Sequence, residues 1–311
     1  MSIATVYNAQ IRNNGTANRC TRAIRQELGF SKRDADGKWT DCPRYEPHGD
    51  LPEHDLYIYI DDGRDELEWT CPGPSAYWAI DTHLGYDYRL SKARQFDRVY
   101  TAQKEGAERM RADGIEHAEW LPLACSPSLD PSLKEMRTHP NRAEIVGEFQ
   151  LAKRHDLVFV GYMNRGAGEG SHNRVEFLDE VFRDFPNFWC SANTFHEHQA
   201  VRYIRARLGL NISIKNDLNM RFFEVLSTGT ALLTNTDVEG IDDIGFEEGK
   251  HFIGYTDADD AKDKIRYYLE HEDEREEIAV AGHELVRSNH TYAHRMAYIL
   301  DSFGIQKAEA T

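Results

Sequence analysis

Along most of the chain, short apolar runs of strand length alternate with longer stretches whose apolar residues recur at helical spacing. The pattern predicts a strand at 3–8, a polar loop at 9–15 and a helix at 17–28, with Gly29 as its stop. A second strand is expected at 55–60, Asp-Leu-Tyr-Ile-Tyr-Ile, closed by Asp61-Asp62-Gly63 read as a turn. A short apolar run at 77–80 runs into Asp81-Thr82-His83. A helix at 89–95, a strand at 98–101, a helix at 104–111 and a strand at 119–123 follow.

The alternation lapses over 127–155, where Pro127, Pro131 and Pro140 punctuate polar sequence, and this is the expected domain connection. It restarts with a strand at 156–160, a Gly-rich loop at 161–171 and a helix at 174–185. Further strands are expected at 187–190, 211–214, 231–234 and 251–255, with helices at 198–208, around 221–224, and at 258–270, 273–288 and 292–303. Two successive strand-helix series imply an α/β protein with two parallel sheets. The divisions read as 1–150, 151–290 and a terminal helix at 291–311. In such sheets ligands sit beyond the carboxyl ends of the strands, so the post-strand loops are the places to look for chemistry.

Composition narrows the classes. With 311 residues, 40% hydrophobic and 29% charged, the chain can bury two cores, and no apolar run reaches membrane-spanning length. The first residues, Met-Ser-Ile-Ala-Thr-Val-Tyr, lack the basic and apolar regions of a signal peptide. Five cysteines without metal-type spacing fit reduced thiols, so a cytoplasmic protein is expected. A net charge of −16 makes a nucleic-acid partner less expected, although a local basic cleft is compatible with it.

The most informative stretch runs from Lys215 to Asn235. Polar Asn216-Asp217-Leu218-Asn219 leads into a short amphipathic helix with Arg221 and Glu224, Gly229 breaks it, and a strand follows. A nucleotide diphosphate needs such a pair, a cation for phosphate and a carboxylate for ribose hydroxyls. The plain alternative is an intrahelical ion pair, because residues three apart share a face. The loop from Gly161, with Arg165 and Arg174, offers close backbone approach and charge, yet matches neither the NTPase phosphate loop nor a dinucleotide fingerprint. Asn13, Asn14 and Gly15 offer amides at a helix start, against the alternative of an ordinary turn. Asp81 and His83 are the acid/base candidates, against a surface helix cap. Asp34-Ala35-Asp36 reads as a solvated turn, and His196-Glu197-His198 lacks the spacing of a helical zinc site.

At these residues the chain resembles the CgeB-like (spore-maturation-protein-like) glycosyltransferases. The resemblance lies in Asn216–Glu224, Ser227-Thr228-Gly229 and Leu232-Leu233-Thr234, continues through Gly240-Ile241 to His290-Thr291-Tyr292 and Arg295, and reaches back to Trp78–His83. It implies a GT-B fold, two Rossmann-like domains facing a cleft, with the first on the acceptor side and the second holding the donor nucleotide. It also implies a last helix that returns to the first domain, and no metal or other cofactor. Related retaining enzymes carry a Glu, seven residues, Glu motif whose second member binds the ribose. Glu224 matches that member, while Asn216 stands at the first, an amide in place of a carboxylate.

The expected function is therefore metal-independent transfer of a sugar from a nucleotide-diphosphate sugar, UDP or another, with retention favoured. The acceptor is left open among a glycan, a protein, a small molecule and a modified base. Gly161, Arg165, Lys215, Asn216, Asn219, Arg221 and Glu224, with Asn14 and Gly15, are the expected donor contacts. An inverting reaction would need Asp81 or His83 as its base. A non-catalytic nucleotide- or carbohydrate-binding protein and a structural spore or virion protein are the competing readings.

Overall fold

The computed structural model describes residues 1–7, 15–61, 71–146, 151–163, 171–192 and 194–306. The chain divides into two units, Met1–Leu123 with Tyr292–Thr311, and Ala124–Thr291.

The first unit holds a six-stranded sheet. Its strands β1 (Ile3–Val6), β2 (Arg44–Tyr45), β3 (Leu56–Asp61), β4 (Ser75–Ala79), β5 (Arg98–Thr101) and β6 (Ala118–Trp120) lie in the order β2-β1-β3-β4-β5-β6. Every pairing is parallel. β3 and β4 are buried along their whole length, as parallel strands covered on both faces must be. Helix α1 (Thr16–Arg22) runs on into a π-helical turn at Ala23–Glu27, and α2 (Tyr86–Ala93) and α3 (Lys104–Ala112) follow β4 and β5. Tyr77 stacks on Phe96 at 5.0 Å and on Tyr59 at 5.6 Å in the core of this sheet. The last helix, Tyr292–Ser302, belongs to this unit. Arg295 Nε donates to Pro122 O at 2.8 Å, and the Tyr100 hydroxyl to Ser302 Oγ at 2.9 Å.

The second unit opens with α4 (Leu133–Thr138) and α5 (Arg142–Val146). Then come β7 (His155–Val160), α6 (Ser171–Asp184), β8 (Phe188–Ser191), α7 (His196–Ile204), β9 (Ala206–Asn211) and α8 (Met220–Ser227). β10 (Ala231–Asn235), β11 (Ile253–Tyr255), α9 (Ala258–Glu270) and α10 (Glu272–Asn289) complete it; the terminal helix Tyr292–Ser302 is α11. Its strands pair in parallel in the order β11-β10-β9-β7-β8. Leu157, Phe159, Leu208, Leu210 and Leu233 from the sheet meet Leu178, Val181, Ala261 and Ile265 from α6 and α9. Elsewhere in the unit Phe222 of α8 meets Phe246 and Phe252 edge-on at 5.0 and 5.7 Å. β7 leads to β8 on one side and β9 leads to β10 on the other. The chain therefore reverses its direction of winding between β7 and β9.

Two sequence expectations are corrected. The first domain was expected to run to 150, but residues from Ala124 onward pack on the second unit. Met136 and Val146 share a core with Val201 and Ile204 of α7, and Ser227 Oγ donates to Asp130 O at 2.8 Å. Pro131 stands just before the Ser132 cap of α4 and Pro140 just after its end, so they punctuate packed short helices rather than a free linker. The strand expected at 211–214 is instead β9, at Ala206–Asn211. The alternation Leu208, Leu210, Ile212, Ile214 suits either placement. Tertiary packing decides: Gly209 lets Val225 of α8 come so close that a Cβ there would lie 2.6 Å from its Cγ1.

Met136 is fully buried, so Met136→Ala is expected to lower the unfolding free energy by about 2–5 kcal/mol. Urea unfolding followed by fluorescence tests this, and a loss under about 0.5 kcal/mol would contradict the assignment of 124–146 to the second core.

Candidate functional site

Where β7 and β9 part company, two arginines fill the divergence. Arg221, at the first turn of α8, donates Nε to Val160 O at 2.6 Å and Nη1 to Asn211 Oδ1 at 2.8 Å. It thereby ties the end of β7 to the end of β9. Its guanidinium carbon lies 4.5 Å from the centre of the buried Phe159 ring. Gly161 makes room for it, since a Cβ there would lie 2.1 Å from Arg221 Nη2. Arg174, on α6, makes the second tie. Its Nε and Nη2 donate to Ile212 O at 3.1 and 2.9 Å, and Nη1 donates to Tyr162 O at 3.3 Å. Burial, and then the neighbouring charge of Arg221, lower the Arg174 pKa to about 9.

Asn211 is the hub of this arrangement. It is 1% exposed, and its Oδ1 accepts from Arg221 and, at 3.0 Å, from Asn219 Nδ2. Its own Nδ2 donates to Thr234 Oγ1 on β10 at 3.0 Å. Asn219 is the N-cap of α8, its Oδ1 accepting from Phe222 N at 3.4 Å. Lys215 and Asn216 form an exposed turn between β9 and α8, both left-handed with φ of 52° and 57°. Glu239 N donates to Asn216 O at 3.0 Å and Ser213 Oγ to Asp217 O at 2.5 Å, which fixes that turn. A helix start with a half-buried guanidinium and ordered turn amides is suited to an anion.

Glu224 lies one turn further along α8 and is 4% exposed. Its Oε2 accepts from Gln199 Nε2 of α7 at 2.6 Å. Among the described residues Arg221 and Glu224 form no ion pair, so the intrahelical bridge allowed by their spacing is not made. Gly229 follows the helix with φ of 73°, the left-handed stop its position suggested.

The acid/base candidates lie in the first unit. Asp81 follows β4 in a left-handed conformation, φ 59°, and makes no side-chain cap bond to the 3-10 turn Thr82–Leu84. The surface-cap alternative is thereby removed. The turn is held from beneath: Thr82 N and Oγ1 both donate to Gln103 Oε1, at 2.9 and 3.0 Å. Gly106 leaves space for Thr82, whose Oγ1 would sit 2.3 Å from a Cβ at that position. His83 is half-buried. Asp61 is not the turn residue expected from Asp61-Asp62-Gly63. It ends β3 at 1% exposure, accepting from Tyr77 OH at 2.6 Å and pairing with Lys92 Nζ at 3.2 Å. Gly15 is the N-cap of α1, without a side-chain cap bond. Asn14 and Arg165 lie outside the described residues.

The structure thus brings Gly161, Asn219 and Arg221 together, with Lys215 and Asn216 in the adjoining turn. Asn211 and Gln199 were missed by sequence reasoning. Asn211 sits inside an alternating apolar run, where a polar residue is a readable signal; Gln199 has no comparable mark.

Comparison with known proteins bears on the fold. Residues 174–301 match the family model described as glycosyl transferase-like. A comparison with curated protein sequences finds no match. Among solved structures, HepE of Anabaena in complex with UDP is 10% identical with a TM-score of 0.63, over 98% of this chain and 100% of that one. Sucrose-phosphate synthase from Thermosynechococcus elongatus is 10% identical with a TM-score of 0.59, over 98% of each. BGT of T4 phage in complex with its UDP-glucose substrate is 11% identical with a TM-score of 0.53, over 97% and 98%. The fold is the GT-B fold of glycosyltransferases, two α/β units each on a parallel sheet.

Gly161→Ala is expected to cost about 1–3 kcal/mol, because the methyl collides with Arg221. In the Gly161→Ala, Arg221→Ala double variant part of that cost should return, since the collision partner is gone. Additive losses in chemical unfolding would show that the two residues do not meet.

Proposed function

We propose that the protein is a glycosyltransferase that moves a sugar from a nucleotide-diphosphate sugar to an acceptor. The observation that carries this reading is Arg221, held at the switch point of the second sheet over Gly161, at the capped start of α8. In sugar transfer the bond from the anomeric carbon to the diphosphate breaks, and negative charge grows on the leaving group. A preorganised guanidinium and helix amides stabilise that charge. Arg221, Lys215 and the Gly161 segment take the diphosphate, and Glu224 takes the ribose hydroxyls. A UDP donor is favoured by HepE, which is seen with UDP and with UDP-glucose.

In this reading the cationic side chains supply the charge stabilisation, so transfer needs no metal. Retention is favoured over inversion, because a front-face reaction requires no protein nucleophile, and Asp81 and His83 of the first unit serve the acceptor. The motif residues Asn216–Glu224 support placement among the CgeB-like enzymes, working in the cytoplasm. No helix among the described residues is long and apolar enough to cross a membrane. The amide at Asn216 favours one competing reading, a protein that binds a nucleotide sugar without transferring it.

A thermal-shift panel of UDP, GDP, ADP and dTDP sugars tests the donor. Ligand at 100 times its Kd stabilises the fold by about 2.7 kcal/mol, and the UDP sugars should give the largest shift. No shift with any of them would count against the enzyme. Arg221→Ala and Glu224→Ala are each expected to weaken UDP binding by about 1.5–3 kcal/mol in calorimetry. Release of UDP in the presence of EDTA tests metal independence, and binding without UDP release under any acceptor would favour the non-catalytic reading.

A further inference from the structure

We propose that Gln199 is a positioning residue for nucleoside recognition: it fixes the Glu224 carboxylate in the orientation that receives the ribose hydroxyls. The inference rests on the proposed role of Glu224 and extends it to a residue on a different helix.

A carboxylate at 4% exposure is costly unless hydrogen-bonded. Gln199, itself 7% exposed, meets that need from α7, 25 residues earlier, with a 2.6 Å bond from Nε2 to Oε2. The same Nε2 lies 3.2 Å from the hydroxyl of Tyr203, which is fully buried one turn along α7. Burial, and then the Glu224 carboxylate, raise the pKa of that phenol, so Tyr203 stays neutral beside the acid. Gln199 thus holds Oε2 through an amide N–H. An amide N–H orients a carboxylate without itself adding a counter-charge, which suits a group that accepts from sugar hydroxyls. Arg221, three residues away on the same helix, directs Nε and Nη1 to Val160 and Asn211 instead. Cation and carboxylate are therefore held separately, one for phosphate and one for ribose, and Gln199 secures the second.

The experiment compares affinities for UDP and 2′,3′-dideoxy-UDP by calorimetry in the wild-type protein, Gln199→Leu and Glu224→Gln. The wild type should prefer UDP by at least about tenfold, and Gln199→Leu should bring that ratio to within about threefold of unity. Gln199→Met, which keeps the chain length, replaces the Leu variant if the latter loses its cooperative melting transition. A merely structural role predicts equal weakening for both nucleotides and an unchanged ratio, which would overturn the proposal. If Glu224→Gln loses the preference while both Gln199 variants keep it, the ribose reading stands and this inference fails. If the wild type binds UDP but shows no preference, both fail.

Discussion

The second unit depends on how the split between β7 and β9 is closed. Two strands that pair side by side send their chains to opposite sides, and the backbone beyond them loses its partners. Arg221 and Arg174 donate there instead, Arg221 to Val160 O and the Asn211 side chain, and Arg174 to Ile212 O and Tyr162 O. Guanidinium suits this task because its fork reaches several acceptors at fixed angles. Burial, and after it the nearby charge of Arg221, lower the Arg174 pKa. Two cations in one crevice make it attractive to an anion, so the structural solution and the proposed phosphate site are one arrangement.

Around that arrangement the side chains divide the labour by helix. α8 presents Arg221 at its first turn and Glu224 at its second, while Phe222 and Phe223 bury its opposite face. α7 brings Gln199 to Glu224. The Asn219 cap and the left-handed Lys215-Asn216 turn set the angle at which α8 begins. Asn tolerates that region better than most residues; Lys there carries a modest backbone cost, consistent with a turn kept for its geometry.

The first unit uses backbone strain in a comparable place. Asp81 is left-handed at the end of β4, and Gln103 and Gly106 hold the turn that follows. One strand over, Asp61 is buried against Lys92 and Tyr77. Aspartates at the ends of neighbouring strands thus have different roles, Asp61 closing a packed core and Asp81 beginning an irregular turn.

The apolar alternation by itself determined two parallel α/β units, since strand-length and helix-length runs leave few other ways to bury their faces. It also marked Arg221, Glu224 and Gly229, because charge in a short amphipathic helix and a glycine after it have local meanings. Tertiary structure alone decided the rest. Residues 127–155 read as a linker because their few apolar side chains, such as Met136 and Val146, find partners on α7, remote in sequence. The strand after α7 was ambiguous because its alternation extends beyond the paired segment, and the close approach of Val225 to Gly209 selects the register. Spacing allowed Arg221 and Glu224 to pair with each other; Asn211 and Gln199, remote in sequence, offered better-placed partners and drew them apart. Local sequence sets which groups a helix presents, but the destination of a buried charge depends on what the other strands and helices bring to it.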